Sequence, residues 1–207
     1  METFFRIVMG LTSVIGLTFI VERGLMLRWG RVVPRAIENA VEACRSSAGL
    51  AAVHAACEAS PSPLARLLLT AEQNLDLTKD ENENALQTRA RHEISRLERG
   101  LVVLEIVVGI APLMGLVGTI YGMMSLFGSL GETGLGDNAV LARGISIILQ
   151  FTMMGLLIAI PSLIAWSYYS KKVETFAVEM ATLCDGFLRT QYHDESTTKE
   201  TASPVRT

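Results

Sequence analysis

The sequence predicts an all-α polytopic membrane protein with three transmembrane helices, two of which extend into a cytoplasmic helical bundle. Two observations carry this prediction. The apolar residues are concentrated in three blocks, and no segment shows the polar–apolar alternation that is typical of a strand. Hydrophobic residues make up 50% of the 207-residue chain, and a helix needs roughly 20 apolar residues to cross a bilayer.

The three blocks differ in how clearly they qualify as spans. The first runs from Phe4 to Val21 and contains Arg6, the second runs from Leu101 to Phe127 with one charge, and the third, Ile145 to Tyr169, carries none. The first block is marginal in length and resembles a secretory signal. Because no small-residue cleavage pattern follows it, we expect a retained first span.

Positive charges around the blocks predict the orientation, because Lys- and Arg-rich flanks stay in the cytoplasm. One side of the three spans carries Arg23, Arg28, Arg31, Arg35, Arg89, Arg91, Arg96, Arg99, Lys171 and Lys172. The other side carries only Arg6 and Arg143. We therefore expect the N-terminus outside and the C-terminus inside.

Helical spacing of apolar residues extends two spans beyond the bilayer. The spacing continues from Leu86 through Gly100 to Leu104 and predicts that span two begins as a long soluble helix. It also continues after span three, from Val173 to Phe187. The predicted segments are transmembrane helix 1 (1–22, N-terminus periplasmic), a cytoplasmic helical region (23–100), transmembrane helix 2 (101–128), a periplasmic loop (129–140), transmembrane helix 3 (141–170), a cytoplasmic helical extension (171–190) and a disordered tail (191–207).

Enzymatic and metal chemistry are not expected. The three cysteines, Cys44, Cys57 and Cys184, fall on the predicted cytoplasmic side, where thiols stay reduced. Their spacing suits neither a metal site nor a CxxC motif, so we expect packing residues. An intramembrane enzyme would need a nucleophile with a base, or a metal cluster, within the apolar blocks, and all cysteines and histidines lie outside them. A solute transporter would show more spans and internal repeats.

Small residues and prolines mark the facing sides of spans two and three. Helices in lipid associate by close approach over small residues, and a membrane helix tolerates proline where neighbours satisfy the freed carbonyl. The segment "APLMGLVGTIYGMM" (111–124) concentrates such residues. The predicted packing and kink positions are Pro112, Gly115, Gly118, Gly122, Gly155 and Pro161.

Two threonines are the first candidates for a functional site. The positions of Thr119 and Thr152 are nearly symmetrical about the middle of the outer loop, so an antiparallel hairpin places them at the same depth. We expect both to line a pore. The alternative is that each hydroxyl bonds a carbonyl one turn back in its own helix. The sequence leaves both readings open.

Glu105 is the only acid in the apolar blocks. It lies about 21 Å from Thr119 towards the cytoplasm and within about 40° of the same helix face. An intramembrane carboxylate is a functional candidate by default. The alternative is an interfacial carboxylate that is paired with Arg96 or Arg99.

Ser146 and Gln150 are secondary polar candidates in the outer half of span three. Gln150 lies about 160° from Thr152 around the helix, so both cannot face one pore. We expect Gln150 to bond an adjacent helix.

These residues carry a family resemblance. The segments "APLMGLVGTIYGMMSLF" (111–127) and "ARGISIILQFTMMGLLIAIPSLIAWSYYSKKVE" (142–174) resemble the two signature spans of the MotA/TolQ/ExbB proton-channel family, closest to its ExbB/TolQ branch. The order of three spans, the outside N-terminus and the large segment between spans one and two agree with that family.

The resemblance implies a channel or stator subunit of a proton-driven motor in the bacterial inner membrane. Such subunits form a pentamer around a dimer of a single-span ExbD- or TolR-like partner, which carries the protonatable aspartate. A ring of threonines, matching Thr119 and Thr152, faces that aspartate. Proton flow then does work at the cell envelope, with a TonB- or TolA-like arm as a further partner. The energy source is the proton motive force, and no cofactor is implied.

One position departs from the family pattern. Many relatives carry Glu or Gln just after the "GIS" motif, where this sequence has Ile147. The resemblance then leaves the proton carrier to the partner's aspartate, with Glu105 as a cytoplasmic exit. Ile147 also keeps open the alternative of a non-conducting structural scaffold for partner helices. The cargo, the ion (proton or sodium), the stoichiometry and the partner's identity are left open.

Overall fold

The structure is a computed structural model that describes residues 2–44, 49–133 and 138–201. Within these residues the regular structure is helical, and no strand occurs. The helices are α1 (Glu2–Met26), α2 (Trp29–Val32), α3 (Arg35–Ala43), α4 (Leu50–Ala59), α5 (Pro63–Gln73), α6 (Lys79–Glu98), α7 (Leu101–Thr133) and α8 (Asn138–Thr201).

Among the described residues, three helices are long and apolar enough to cross a membrane. They contain the segments Thr3–Met26, Leu101–Gly128 and Leu141–Tyr192, the last of which includes the third apolar block. The predicted all-α membrane fold with three spanning helices is therefore confirmed.

The chain divides into two compact units. The hairpin unit comprises Met1–Leu25 and Arg99–Ser170, and the bundle unit comprises Met26–Glu98 and Lys171–Thr207.

The hairpin unit packs α1 against α7 and the first part of α8. Phe5 and Met9 of α1 form a buried cluster with Phe151 of α8, and the Phe5 and Phe151 ring centroids are 6.3 Å apart. The Tyr169 hydroxyl donates a hydrogen bond of 2.9 Å to the carbonyl oxygen of Ile20. Most other large apolar side chains of these helices point outward. So large an exposed apolar surface suits lipid or a protein partner rather than water.

Local capping explains where the bundle helices begin. Ser62 precedes α5, and its Oγ accepts a hydrogen bond from the backbone N–H of Ala65 at 3.1 Å. Pro63 follows at the first helical position, where its missing N–H costs nothing. At the start of α6, Thr78 and Glu81 bond each other reciprocally through side chains and backbone N–H groups. This arrangement is a capping box.

The bundle unit buries an aliphatic and aromatic core with one carboxylate inside it. The fully buried core side chains include Leu64, Leu67, Leu68, Phe176, Met180, Phe187 and Leu188. Glu93 is 0% exposed. One carboxylate oxygen lies 2.6 Å from Arg66, and the other lies 3.5 Å from Arg89 and 3.7 Å from Arg96. Burial raises the pKa of Glu93, but the Arg66 hydrogen bond and the three guanidinium charges outweigh it, so the net pKa is below its usual value.

The three cysteines are buried thiols, as their predicted packing role requires. Cys44, Cys57 and Cys184 are no more than 5% exposed. Burial, with a smaller contribution from the Glu72 charge, raises the pKa of Cys57 to about 11.

Span two does not begin as a continuous soluble helix, so that prediction is wrong. Helix α6 ends at Glu98 and α7 begins at Leu101, with a turn at Arg99 and Gly100. A Cβ at Gly100 would collide with the guanidinium of Arg23. The helix therefore breaks at the one residue whose lack of a side chain leaves space for that arginine.

The ends of α7 and α8 also differ from the predicted boundaries. Helix α7 ends at Thr133 and helix α8 begins at Asn138, so the two helices occupy most of the predicted loop 129–140. Residues 134–137 lie outside the described residues. Helix α8 continues to Thr201, so residues 191–201 are helical where the sequence predicts disorder; 202–207 are not described. Extending an existing helix costs far less than nucleating one, which favours such overruns.

Candidate functional site

The candidate site is built on a backbone-to-backbone contact between α7 and α8. A Cβ added to Gly115 would lie 2.9 Å from the carbonyl oxygen of Phe151 and 3.3 Å from the Cα of Thr152. A Cβ added to Gly155 would lie 2.7 Å from the carbonyl oxygen of Ala111. Backbone atoms cannot rotate away as side chains can. Only glycine at both positions allows this approach.

The contact continues along α7 with side chains of α8 filling the space over each glycine. A Cβ on Gly118 would lie 2.9 Å from the ring of Phe151, and one on Gly122 would lie 2.7 Å from Cγ1 of Ile148. The four predicted packing glycines therefore lie at the α7–α8 contact.

Both prolines lie inside their helices. Pro112 is partly buried within α7 and Pro161 is exposed within α8. Each helix continues on either side of its proline, so the kinks stay a prediction.

The packing register places Thr119 and Thr152 at the same level. Gly118, which precedes Thr119, contacts Phe151, which precedes Thr152. The Thr119 hydroxyl donates to the carbonyl oxygen of Leu116 at 2.7 Å and is partly buried. Thr152 is exposed, and its hydroxyl makes no hydrogen bond within the described part of the chain. The backbone-bonded alternative thus applies to Thr119, whereas Thr152 presents an unbonded hydroxyl.

The surroundings of Thr152 are apolar. Leu149, Met153 and Leu156 flank it on α8, and all three are among the exposed large hydrophobic side chains. A hydroxyl on such a surface can donate to a carboxylate or accept from a carboxylic acid. The arrangement can therefore bind a carboxyl group on a facing helix without changing its own charge.

The other polar candidates are not brought to the threonines. Glu105 is exposed on α7, 14 residues before Thr119, and has no ion pair with any residue that the structure describes. The rise of a helix puts it about 21 Å away along the axis. Arg96, one of its two suggested partners, lies beside Glu93 instead. Ser146 and Gln150 are both exposed on α8.

Ile147 is partly buried in the hairpin unit. It packs against the Phe5, Met9 and Phe151 cluster. An apolar side chain at this position matches its surroundings, since an ionised acid there would require a buried partner.

Sequence reasoning missed two polar interactions outside the hairpin contact. One is Arg23, whose side chain is 11% exposed, beside Gly100. The other is the burial of Glu93 among arginines. The sequence signal for the first is an isolated glycine between two helical patterns. For the second, Arg89 and Arg96 lie at helical spacing from Glu93, but nothing local indicates the burial of Glu93 or its pairing with Arg66. No group of three His, Cys, Asp or Glu side chains that could hold a metal occurs among the described residues.

Residues 59–182 match the sequence profile of the MotA/TolQ/ExbB proton channel family. The ExbB-like 3 biopolymer transport protein of Synechocystis sp. is 32% identical over 145 residues, or 68% of this chain and 69% of that protein. The ExbB biopolymer transport protein of Salmonella typhimurium is 26% identical over 152 residues, or 69% of this chain and 62% of that protein. An ExbB homolog of Methanothermobacter thermautotrophicus is 30% identical over 113 residues, or 55% of this chain and 40% of that protein.

The aligned parts cover between 40% and 69% of the lengths of these three relatives. The family match itself covers more than half of the chain and includes the whole α7–α8 contact. The resemblance carried by the glycine and threonine motifs is therefore confirmed. This chain is a multi-pass membrane protein that belongs to the MotA/TolQ/ExbB proton channel family, on its ExbB branch.

Proposed function

We propose that this chain is the channel subunit, or stator, of a proton-driven motor in the bacterial inner membrane. It surrounds a single-span ExbD- or TolR-like partner that carries an aspartate, and it couples proton flow to mechanical work at the cell envelope. The subunits form a homo-oligomer, a pentamer by family analogy, and a TonB- or TolA-like protein receives the work. The observation that carries this proposal is the unbonded hydroxyl of Thr152 on an exposed apolar surface, level with Thr119.

The physical role of the threonines follows from the cost of placing a carboxylate at membrane depth. An ionised aspartate there is expensive unless polar groups stabilise it. A threonine hydroxyl donates to the charged form and accepts from the neutral form, so it stabilises both without titrating. The partner's aspartate remains the group that binds and releases the proton.

The glycine contact supports this role by fixing the position of the hydroxyl. Gly115 lies against the backbone of Thr152, so the threonine backbone cannot shift without disturbing a close backbone contact between α7 and α8. A binding group held on a rigid helix keeps its geometry as the partner moves.

Two further residues bear on the path of the proton. Ile147 supplies no acid and packs, partly buried, against the Phe5, Met9 and Phe151 cluster, which leaves the partner's aspartate as the carrier. Glu105 is exposed on α7, and the predicted orientation places it towards the cytoplasm. We propose that it receives protons at the cytoplasmic exit.

Replacing Thr152 with Val is expected to lower proton flux by about tenfold or more. The change removes a hydrogen bond to a charged group, which contributes about 1.5–3 kcal/mol, while side-chain volume is kept. Flux is measured with a pH-sensitive dye in liposomes that contain the chain and the aspartate-bearing single-span protein with which it copurifies. Thr119→Val is expected to lower flux less, because its hydroxyl already bonds Leu116.

Thr18→Val is the matched control. Thr18 is an exposed threonine on α1 whose hydroxyl bonds the carbonyl oxygen of Val14 at 2.7 Å, so its replacement should leave flux unchanged. Equal flux in wild type, Thr152→Val and Thr119→Val would contradict the channel assignment. If the chain and its partner form a stable complex but that complex conducts no protons, the result would instead support the scaffold function. A parallel measurement with a sodium-sensitive dye identifies the ion.

A further inference from the structure

A cluster of arginines follows the first span, and the first of them, Arg23, pairs with Glu22 at 3.1 Å. The sequence from Arg23 to Arg35 contains four arginines and no Asp or Glu. Three of them, Arg28, Arg31 and Arg35, lie in the bundle unit with exposed side chains. None forms an ion pair with another residue in 2–44, 49–133 or 138–201. With Trp29, they are called the arginine surface below.

The backbone beneath the arginine surface is fixed by buried neighbours. Leu27, Val32, Val33 and Ile37 alternate with the arginines and are at most 1% exposed. Backbone hydrogen bonds of 2.9 Å join Arg31 N–H to the Arg28 carbonyl and Val33 N–H to the Trp29 carbonyl. The guanidinium groups are therefore presented from an ordered segment rather than from a flexible tail.

Trp29 gives this surface an amphipathic anchor. Its ring packs on Phe176, with centroids 5.1 Å apart, while 38% of the residue remains exposed. Tryptophan is enriched at the headgroup level of membranes because one edge is apolar and the other donates a hydrogen bond.

The position in the chain places this surface at the membrane boundary. The first spanning segment ends at Met26, and Arg28 is the second residue after it. Even a fully extended chain advances only about 3.5 Å per residue. Arg28 therefore lies within about 7 Å of the end of the span and Arg31 within about 18 Å, close enough for their long side chains to reach the headgroups.

We propose that Arg28, Arg31 and Arg35 form a binding surface for the headgroups of anionic phospholipids. A guanidinium forms paired hydrogen bonds with phosphate oxygens, and a cluster of unpaired cations attracts the net negative charge of such lipids. Zwitterionic headgroups lack that net charge. This inference depends on the first span alone and is independent of the proposed proton-channel function.

The test uses Trp29 as its reporter in the full chain. The chain has two tryptophans, so Trp166→Phe leaves Trp29 as the only one. The protein is placed in phosphatidylcholine nanodiscs that contain a minor fraction of phosphatidylglycerol, with bromine on the chains of one lipid or the other. Brominated phosphatidylglycerol should quench Trp29 more strongly than its membrane fraction predicts. The excess should disappear at about 1 M salt, where the Debye length is about 3 Å.

Removing the arginines should remove the enrichment. Each basic residue near the surface contributes about 1 kcal/mol, so Arg31→Gln should lower the preference for phosphatidylglycerol about fivefold. In the triple variant Arg28→Gln, Arg31→Gln and Arg35→Gln, brominated phosphatidylglycerol should quench Trp29 no more strongly, relative to its membrane fraction, than brominated phosphatidylcholine does. Thermal unfolding checks that the variants fold. We expect them to fold, because the three arginines are exposed.

Arg189→Gln is the matched control, since it removes the same charge from an exposed site on α8. It should leave the quenching unchanged. Equal loss in Arg189→Gln, or unchanged enrichment in the triple variant, would overturn the proposal. Displacement of phosphatidylglycerol by millimolar inorganic phosphate would overturn it as well, because the site would then bind soluble anions.

Discussion

Gly155→Ala is expected to force α7 and α8 apart and to destabilise the hairpin unit by about 1–3 kcal/mol, the usual cost of overpacking. The added methyl group would lie 2.7 Å from the Ala111 carbonyl oxygen, which is backbone of the facing helix and cannot rotate away. Unfolding in mixed detergent micelles measures the loss. The larger Gly155→Leu change should also abolish flux, because it displaces Thr152.

Gly109→Ala is the matched control on the same hairpin. Gly109 is an exposed glycine of α7, and a Cβ there would meet no atom within 4 Å. Alanine favours helix by about 1 kcal/mol over glycine, so this variant should be neutral or more stable. The two alanine substitutions are thus expected to have opposite signs. A similar small gain in both would show that the close backbone contact does not govern this hairpin.

Glu93→Ala is expected to destabilise the bundle unit by about 1–3 kcal/mol, the cost of leaving the hydrogen-bond partners of a buried charged group unsatisfied. The reason is the set of arginines left behind. Arg66, Arg89 and Arg96 all lie within 4 Å of the carboxylate, and the Nε atoms of Arg66 and Arg89 already lack hydrogen-bond partners in the part of the chain described. Chemical unfolding of the full chain, followed by helical circular dichroism, measures the effect.

Glu83→Ala serves as the control for Glu93→Ala. Glu83 lies on the same helix, is 44% exposed, and has one surface partner, Lys79, at 3.3 Å. Surface pairs of this kind contribute at most about 1 kcal/mol. Equal effects of the two substitutions would contradict the importance of burial at Glu93.

The pH dependence of the Glu93 contribution has a defined sign. Its pKa in the folded chain is below the ordinary value of 4.5, so folding favours the ionised form. The stabilisation is therefore fully present above about pH 4.5 and is lost as the pH falls through the lower folded pKa. The stability difference between wild type and Glu93→Gln should accordingly shrink in acid.

The spans and the hairpin register were predictable because each depends on short-range pattern. Apolar run lengths alone locate the three spanning helices. The symmetry of Thr119 and Thr152 about the loop places them level, and the Gly118–Phe151 contact agrees with that register. Small-residue spacing likewise indicates which faces of α7 and α8 meet.

The burial of Glu93 and its pairing with Arg66 were not predictable, because they depend on tertiary partners distant in sequence. Arg66 precedes Glu93 by 27 residues, and no local pattern brings them together. The sequence drew attention to Glu105 as the lone acid in an apolar block, whereas the fully buried acid is Glu93 in a polar-looking helix. Gly100 by itself does not predict the helix break. The reason for the break is that Arg23, from another helix, occupies the space beside this glycine.

Burial of the native cysteines makes the wild-type chain a suitable background for site-directed labelling. A thiol reacts as its thiolate, and with a pKa of about 11 only about one Cys57 in 10⁴ is ionised at pH 7. Cys44 and Cys184 are shielded by burial. A single cysteine introduced at Thr152 would therefore react with a maleimide, provided that water reaches that surface, against almost no signal from the native thiols. Its loss of reactivity when a partner binds would map the helix that covers that surface.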